Sequence, residues 1–324
     1  MQPGPRHILT FLSVLVILIL VELYTSLPFR YPYGHSRIFP IEAPSTETVY
    51  FKLAKYWQFN VPPTIKSVAK IPKPANIVVL TASDGGGHNS AIPCLLERVI
   101  ENRQIYCDNH GYQNLWLNTS KYNIGTAHRT WSKIPAVAES FRLYPEAEWV
   151  WLIDSDIILM TPPLSLTSHL LSPAALDKGI IKKAILVDGM EDDHPRRTNI
   201  TMPEEPCIAD LDILITQDHQ SINTGSVFFK RTAFTKWILE MMTDKMFMDV
   251  ESEQDALKHL MLEHPLVREH VGIFPQRMFN AYAVGDDNMG FRDGDLLVHF
   301  AGCWVGGKCH DWFEEFWERR GVLA

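Results

Sequence analysis

The chain has 324 residues, and 30 Lys and Arg against 38 Asp and Glu give it a formal net charge of −8 at pH 7. This acidic balance argues against a nucleic-acid-binding protein, which would carry a basic surface for the phosphate backbone. Apolar residues make up 46% and charged residues 21%, which is ordinary for a globular protein and excludes a disordered chain. The five cysteines are too few for a disulfide-built scaffold, and their odd number leaves at least one unpaired within the chain.

The start of the chain predicts a membrane anchor. Ile8–Val21 contains no charge, and the apolar character continues until Pro28. About 20 apolar residues are enough to span a bilayer as a helix. A cleaved signal peptide and a buried core helix are the alternatives, but no small-residue cleavage site follows and no amphipathic segment flanks the run. We expect a cytosolic tail at residues 1–7 and a signal anchor at residues 8–27.

Two sequons set the expected orientation. Arg6 lies on one side of the anchor and Arg30 on the other, so the positive-inside rule does not decide the topology. Asn118 and Asn199 each begin an N-x-Ser/Thr triplet, which is an acceptor site if this part of the chain is lumenal. We therefore expect a short cytosolic tail and a lumenal body.

A proline-rich segment at residues 28–72 shows no sustained period and predicts an extended stem. Part of this stem, around residues 49–57, is expected to pack on the body. The folded catalytic domain is expected at residues 73–324, and a fragment that begins near Val61 is expected to be soluble and active.

Strand and helix patterns alternate after the stem. Asn76–Ala82 predicts a buried strand that runs into the loop Ser83–Gly87, and residues 91–110 predict an amphipathic helix that ends at Gly111. The alternation continues in three further segments: Leu115–Leu117, Trp131–Leu143 and Trp149–Ile153. This order predicts an α/β fold with a mostly parallel sheet, in which ligands bind beyond the carboxyl ends of the strands.

The helix predicted at residues 91–110 has one apolar side, which includes Val99 and Tyr106 and repeats at the helical period. The other side is expected to face solvent. Its charged residues are Glu97, Arg98, Glu101 and Arg103.

Two carboxylates, Asp154 and Asp156, lie between two apolar runs. Buried carboxylates need a compensating charge, and their oxygens suit Mg²⁺ or Mn²⁺. An ion pair with Lys133 or with an arginine is the simpler alternative. His299 ends another apolar strand, and imidazole is a good third ligand for Mn²⁺, although a single histidine at such a position is more often structural.

Short motifs are spread along the body in a fixed order. They are TASDGGGHN, ENRQIYCDNHGY, WSK, WVWLIDSD, ITQD, NTGS, EQD, PQR with Asn280, and HFAGC. This set resembles glycosyltransferase family 34 over residues 76–310. The family comprises Golgi type II membrane enzymes with a GT-A fold: fungal α-galactosyltransferases, plant xyloglucan xylosyltransferases and α-1,6-mannosyltransferase subunits of the fungal mannan polymerase. TASDGGGHN, ENRQIYCDNHGY and ITQD followed by NTGS resemble the mannan polymerase subunits most.

The resemblance implies a metal site and a nucleotide-sugar donor. Asp154 and Asp156 would form the DxD motif, and they would ligate Mn²⁺ or Mg²⁺ together with His299 and the donor diphosphate. The ion would offset the charge that builds on the departing diphosphate.

The resemblance also places the nucleotide at the end of the first strand. Thr81, Ala82 and Ser83 would line its pocket, and the glycines of Asp84–Gly87 would let the backbone approach the ligand. A mobile loop is the alternative for this glycine run.

The last motif departs from the family pattern. In plant members a lysine that contacts the diphosphate follows this motif directly, whereas this chain has Trp304. Lys308 and Lys133 are the candidates for the same role, and Gly302 within HFAGC is assigned to donor binding with them. Cys303 and Cys309 are close enough along the chain to pair in an oxidising lumen, while one further bridge among the other cysteines stays open.

Family resemblance places Glu253 at the hydroxyls of the transferred sugar and Gln254 near its anomeric carbon. Asn223 and Gly225 would lie at the same sugar site, with Gly225 permitting close approach. The alternatives are structural: Ser252 predicts a helix N-cap followed by exposed acids, and N-T-G is typical of a turn.

These features predict a retaining, Mn²⁺-dependent α-hexosyltransferase of the Golgi membrane that transfers mannose from GDP-mannose to mannose-containing N-glycans of glycoproteins. A UDP-galactose-dependent α-galactosyltransferase is the alternative. A weakly active scaffold that binds other mannosyltransferase subunits is a further one, although the intact acid pair and His299 argue against it. A phosphate-ester hydrolase would need a second cluster of metal ligands. Front-face substitution and a covalent carboxylate intermediate both remain open as routes to retention.

Overall fold

The computed structural model describes residues 53–62, 69–87, 91–249 and 252–321. Within these ranges, no helix combines the length and the apolar character needed to cross a membrane. The predicted tail and anchor at residues 1–27 and most of the predicted stem lie outside the described residues.

Strands and helices alternate through the described part of the chain. The strands are β1 Ile77–Ala82, β2 Gln113–Leu117, β3 Trp149–Ile153, β4 Ile157–Leu159, β5 Ile185–Glu191, β6 His194–Thr201, β7 Ile213–Gln217, β8 Ile222–Lys230, β9 Val271–Phe274 and β10 Leu297–His299. The α-helices are α1 Leu95–His110, α2 Lys133–Leu143, α3 Pro173–Gly179, α4 Ala233–Met242, α5 Lys245–Met248, α6 Glu253–Glu263, α7 Pro265–His270, α8 Gln276–Phe279 and α9 Cys309–Arg319.

The central sheet has six strands in the order β2-β1-β3-β8-β7-β9. β1 is parallel to β2 and β3, as the alternation of strands and helices predicts, and β7 is parallel to β9. β8 is antiparallel to both β3 and β7. Its direction relative to β7 follows from the short turn that joins the two strands, because such a turn permits only antiparallel pairing. The α/β prediction is therefore confirmed, with a sheet that is mixed at its centre.

Both faces of this sheet are buried. In β1, Val78 and Leu80 pack into one apolar cluster with α2 and α6, whereas Ile77 and Val79 pack into a second cluster on the opposite face. Strands that are covered on both faces read as continuous apolar runs. This double burial explains why β1 and β3 are recognisable in the sequence.

A second, two-stranded sheet pairs β4 with β10 in antiparallel register, with His299 opposite Ile157. Residues of α1 and α9 cover it, and the Cys303–Cys309 disulfide closes the loop between β10 and α9. The predicted pairing of these two cysteines is confirmed. Cys94, Cys107 and Cys207 remain thiols, so the second bridge that the sequence left open does not form.

Helix α1 differs from its prediction in two respects. It begins at Leu95 rather than residue 91, because Cys94 adopts a left-handed conformation with φ 53°, and it ends at Gly111 as predicted, with φ 73°. The placement of Arg103 on the exposed side is wrong, since its side chain is fully buried. Periodicity alone counts a charged residue as exposed, whereas here the buried guanidinium has backbone and side-chain acceptors.

The packed body begins earlier than residue 73. Leu53, Tyr56, Trp57 and Phe59 are buried in the main apolar cluster, which confirms for residues 53–57 the expectation that the stem packs on the body and extends this packing to Phe59. The ring of Phe59 stacks on that of Phe141 in α2, with the centroids 5.1 Å apart. Part of the proline-rich segment therefore belongs to the core, and the fragment beginning near Val61 that is expected to be soluble and active would lack these contacts.

Candidate active site

The two carboxylates of the DSD motif lie directly beyond the buried strand β3. The Asp154 amide donates to the Gly225 carbonyl at 2.8 Å, and the Phe300 amide donates to the Asp156 carbonyl at 3.0 Å. These contacts tie the motif to β8 on one side and to β10 on the other. His299 therefore reaches the acids through strand pairing, and its Nε2 lies 3.5 Å from Asp156 Oδ1.

These three side chains form one candidate metal centre. One ligand atom from each of Asp154, Asp156 and His299 lies within 4.8 Å of the other two. Two carboxylates and an imidazole are a donor set that suits Mn²⁺ or Mg²⁺, so the residues present fit a divalent cation. In the described part of the chain no other group of three or more His, Cys, Asp or Glu has this arrangement, so the second ligand cluster expected for a hydrolase is not found there.

Lys133, the first residue of α2, neutralises part of this negative charge. Its Nζ lies 2.6 Å from Asp154 Oδ1 and 3.4 Å from Glu253 Oε1. Burial alone would lower the pKa of Lys133, but the two carboxylates reverse that effect and raise it, so the ammonium stays charged. The simple ion pair considered for Asp154 is therefore present beside the metal centre.

The two acids have different electrostatic surroundings. Burial raises the pKa of Asp154 above its ordinary value, although Lys133 acts against this. Burial is also the largest single effect at Asp156, but the contact with His299, a backbone hydrogen bond and the charge of Lys133 together outweigh it and lower the pKa of that carboxyl. Asp156 is therefore the acid that is most strongly held in its charged form.

Arg103 is a buried cation, although the helical period of the sequence predicts it on the solvent-facing side of α1. Its guanidinium donates to the Thr81 hydroxyl and to the backbone carbonyls of Asp154 and Ile157. Burial lowers the pKa of Arg103, and the nearby carboxylates of Asp154 and Asp156 act in the opposite direction. The ENR motif was the only signal in the sequence, because nothing in the helical period distinguishes Arg103 from a surface arginine.

The imidazole of His299 is packed against a glycine. A Cβ atom built on Gly225 would lie 2.3 Å from His299 Cε1, which is far closer than any allowed contact. The close approach expected at Gly225 is therefore made by the histidine ring. Residues Asn223–Gly225 belong to β8, so the alternative of a turn for N-T-G is wrong.

Glu253 and Gln254 begin helix α6, and both contact Thr224 of β8. The Thr224 hydroxyl donates to Glu253 Oε1 at 3.0 Å, and the Thr224 amide donates to Gln254 Oε1 at 3.0 Å. Ser252 does cap the helix, as the structural alternative predicts, since its Oγ accepts the Asp255 amide at 3.2 Å. However, Glu253 is only 3% exposed, so it is not a solvent-facing acid.

The carboxyl end of β1 lies at the same edge of the sheet as that of β3, because the two strands are parallel neighbours. Thr81 is fully buried, and Ala82 and Ser83 are each 8% exposed. Thr81 and Ala82 are the last residues of β1, and Ser83 begins the loop. The loop that follows is held by an ion pair between Asp84 and Arg129, with Nη2 at 2.5 Å from Oδ2. The sequence did not reveal this ion pair, which argues against the alternative of a merely mobile loop.

Gly302 and Lys308 lie in the disulfide-closed loop after β10. Gly302 has φ 74°, and a Cβ there would meet no atom within 4 Å, so the glycine serves the backbone conformation. The Lys308 ammonium lies 3.8 Å from Asp311 Oδ2 and forms no ion pair with Asp154 or Asp156. Of the two candidate lysines, only Lys133 is brought to the acid pair.

A separate cavity of about 590 Å³ lies elsewhere on the described surface. Its lining comes from the segments 201–207 and 265–270, with Lys183 and Asp210. None of the predicted site residues lines it.

Comparison with known proteins gives the family. A profile of the galactosyl transferase GMA12/MNN10 family matches residues 73–310. The chain is 34% identical over 253 residues to the probable alpha-1,2-galactosyltransferase gmh2 of Schizosaccharomyces pombe, covering 76% of this chain and 71% of that protein. It is 30% identical over 257 residues to the probable alpha-1,6-mannosyltransferase MNN10 of Saccharomyces cerevisiae, covering 73% of this chain and 63% of that protein. The higher identity to gmh2 does not support the expectation that α-1,6-mannosyltransferases resemble this chain most.

A solved glycosyltransferase involved in the glycosylation of the major capsid of PBCV-1 superimposes with a TM-score of 0.49 and 12% identity, covering 75% of this chain and 99% of that chain. A similarity of this size does not assign a fold by itself. The family match extends over most of the described residues and includes every motif of the candidate site. The chain therefore belongs to glycosyltransferase family 34, the galactosyl transferase GMA12/MNN10 family, and is a glycosyltransferase.

Proposed function

We propose that the protein is a metal-dependent, retaining α-galactosyltransferase with a GT-A fold that uses UDP-galactose as its donor. The observation that carries this proposal is the convergence of Asp154, Asp156 and His299, whose ligand atoms lie within 4.8 Å of one another. Family membership supports the reaction class, and the similarity to gmh2 supports galactose as the sugar. This proposal replaces the expected transfer of mannose from GDP-mannose with the alternative of galactose transfer from UDP-galactose.

The metal centre would bind the donor diphosphate. Asp154, Asp156 and His299 would hold Mn²⁺ or Mg²⁺, which supplies positive charge for the departing diphosphate. Lys133 would add a second cation beside Asp154, because its ammonium is already within 2.6 Å of that carboxylate. Arg103 would fix the backbone of the motif from behind, through its bond to the Asp154 carbonyl.

The sugar would lie between β8 and the start of α6. Glu253 Oε2 is buried and has no hydrogen-bond partner among the described residues, whereas Oε1 accepts from Thr224. A buried carboxylate oxygen without a donor is costly, and a sugar hydroxyl would supply that donor. Gln254 Oε1 accepts the Thr224 amide, so its NH₂ group would face the reacting centre.

Family membership supports a proposal for the acceptor and the location. We propose mannose-containing glycans of glycoproteins as acceptors and a type II orientation in the Golgi membrane. Asn118 and Asn199 are both exposed, so each sequon is open to glycosylation in a lumenal body. Loss of mass on glycosidase digestion of the full-length protein would support this orientation, and unmodified sequons in both positions would argue against it.

The donor can be identified by ligand-linked stabilisation of the full-length protein. Thermal unfolding would be followed with UDP, UDP-galactose, GDP and GDP-mannose, each with and without Mn²⁺. A ligand that binds only the folded state raises the melting temperature. We expect UDP and UDP-galactose to do so only when Mn²⁺ is present, because the cation would bind their diphosphate. Stabilisation by GDP-mannose without any effect of UDP-galactose would overturn the galactosyl assignment. Stabilisation by no nucleotide would overturn the enzyme mechanism as a whole.

A further inference from the structure

Asn280 is completely buried between β7, β8 and His299. Its Oδ1 lies 2.8 Å from His299 Nδ1, and its Nδ2 lies 2.9 Å from Asn223 Oδ1 and 3.0 Å from Thr216 Oγ1. Every polar atom of this side chain therefore has a partner. The arrangement connects the candidate sugar site at Asn223 with the candidate metal ligand His299.

The direction of these hydrogen bonds follows from a backbone group. The Gly225 amide, which can only donate, lies 2.9 Å from Asn223 Oδ1, so that atom must be the carbonyl oxygen. The group of Asn280 that contacts the same oxygen must then be its NH₂. The Asn280 carbonyl is consequently the group that faces His299, and it can only accept.

This chain of donors and acceptors determines the proton position on His299. Since the Asn280 carbonyl accepts, His299 Nδ1 must carry a hydrogen. In the neutral imidazole, which is the form that binds a cation, Nε2 is then the nitrogen with the lone pair, and it lies 3.5 Å from Asp156 Oδ1. Without Asn280, the competing tautomer would place its hydrogen on Nε2, where the Asp156 carboxylate attracts it.

We propose that Asn280 is a positioning residue that sets the tautomer and ring orientation of His299 for cation binding, with Asn223 and the Gly225 amide fixing Asn280 in turn. The inference rests on the proposed metal site and deepens it. Groups that hold the second nitrogen of a metal-binding histidine commonly change metal affinity by about 10- to 100-fold when they are replaced. Asn280 belongs to this class by its contacts, although it does not touch the cation itself.

Two isosteric variants of the full-length protein separate this role from a packing role. Asn280→Leu keeps the volume and removes the acceptor, whereas Asn280→Asp keeps an acceptor for Nδ1–H. Binding of Mn²⁺ alone would be measured by electron paramagnetic resonance of the free ion. We expect Asn280→Leu to weaken Mn²⁺ binding by about 10- to 100-fold and Asn280→Asp to restore most of the loss.

Two further variants serve as controls. Thr216→Val removes one partner of the Asn280 NH₂ group and should lower the melting temperature without a change in Mn²⁺ affinity. Asn288→Leu replaces an exposed asparagine in the following loop and should change neither quantity. Equal losses of Mn²⁺ affinity in Thr216→Val and Asn280→Leu would overturn the proposal, because they would show an effect of destabilisation alone.

The tautomer itself can be read without activity. Long-range ¹H–¹⁵N spectra of histidine-labelled protein with Mg²⁺, in which His299→Gln identifies the signal, should show a protonated Nδ1 and an unprotonated Nε2. A hydrogen on Nε2 in the Mg²⁺-loaded wild-type protein would overturn the proposal even if no Asn280 variant folds. Wild-type protein that binds no divalent cation would overturn the proposed function together with it. Mn²⁺ affinity unchanged in a folded Asn280→Leu variant would overturn only the role of Asn280.

Discussion

The Lys133 ammonium lies 2.6 Å from Asp154 Oδ1, and it also lies 3.4 Å from Glu253 Oε1. One cation thus touches both a candidate metal ligand and the acid assigned to the sugar. Its loss would leave two carboxylates in a buried site without their partner, which is costly.

We expect Lys133→Met to reduce the rate of transfer by about 100-fold or more, the range found when a preorganised electrostatic group is removed from a reaction site. Steady-state transfer kinetics at saturating Mn²⁺ would measure the effect. Lys308→Met is the matched control, because this lysine is 55% exposed and pairs with Asp311. A larger loss in Lys308→Met than in Lys133→Met would contradict the assignment and favour the lysine that follows the last motif.

Asp156→Asn should leave the fold intact and lower the rate of transfer by on the order of 1000-fold, the upper end of the range for loss of an electrostatic group at a reaction site. It removes a charged candidate ligand without changing the shape of the side chain. Activity and Mn²⁺ binding would be measured together. The control is Asp287→Asn at a fully exposed position, which should retain both. Full activity of the wild-type protein after chelation of divalent cations would rule out the metal mechanism.

Gly225→Ala should displace the His299 ring, because the new Cβ would lie 2.3 Å from its Cε1. Overpacking of this kind costs about 1–3 kcal/mol of unfolding free energy. Here Mn²⁺ affinity should fall as well. Gly307→Ala controls for stability, since its φ of 69° makes alanine unfavourable by about 1 kcal/mol although no atom lies near the added Cβ. Unaltered Mn²⁺ binding in Gly225→Ala would show that the ring is not held by this contact.

Stability should depend on pH through His270 and Asp212, whose Nδ1 and Oδ2 lie 2.8 Å apart. The hydrogen bond to Asp212 raises the pKa of His270, while burial acts against it. A raised pKa in the folded state stabilises the protein below the ordinary histidine pKa, and this contribution disappears as the pH rises through the shifted value. Asp212→Asn should therefore lower the melting temperature more at about pH 5.5 than at about pH 8.5.

The control for this comparison is Asp287→Asn. Its partner is Arg292, which stays charged throughout this range, so the variant should show the same small difference at both pH values. An Asp212→Asn effect that is independent of pH would mean that the pair contributes only as a neutral hydrogen bond.

A fragment of residues 46–324 should be folded, whereas one of residues 61–324 should be poorly stable. The shorter fragment lacks four buried side chains, and burial of each such side chain contributes about 1.5–3 kcal/mol. The side chains are those of Leu53, Tyr56, Trp57 and Phe59. Urea unfolding of the two fragments would compare them, and equal midpoints would show that these contacts are dispensable.

The sequence predicts well those features that depend on local pattern. Strand β3 runs from Trp149 to Ile153 as expected, because a strand buried on both faces leaves a continuous apolar run. Gly111 ends α1 as expected, because glycine adopts the left-handed conformation without a steric cost. His299 was correctly assigned to a strand end next to the acids, but only the family motif linked the two.

Features that depend on distant contacts could not be predicted from the residues alone. Arg103 has the periodicity of a surface residue, and its burial follows from carbonyls that β3 and β4 bring to it. In the sequence Asn280 is recognisable only as part of a motif, because neither its contact with His299 nor its hydrogen bond to Asn223 affects the local pattern. The sequence likewise could not show which of Lys133 and Lys308 lies at the acid pair, because Lys133 reaches Asp154 through the packing of α2 against the sheet.

The pairing of β4 with β10 has a consequence for biosynthesis. Asp154 and Asp156 are translated well before His299, which lies opposite Ile157 in the two-stranded sheet although it follows Asp156 by 143 residues along the sequence. A growing or prematurely terminated chain therefore contains both acids without the imidazole. Such a product would lack the completed centre, because the three candidate ligands come together only after β10 has paired with β4.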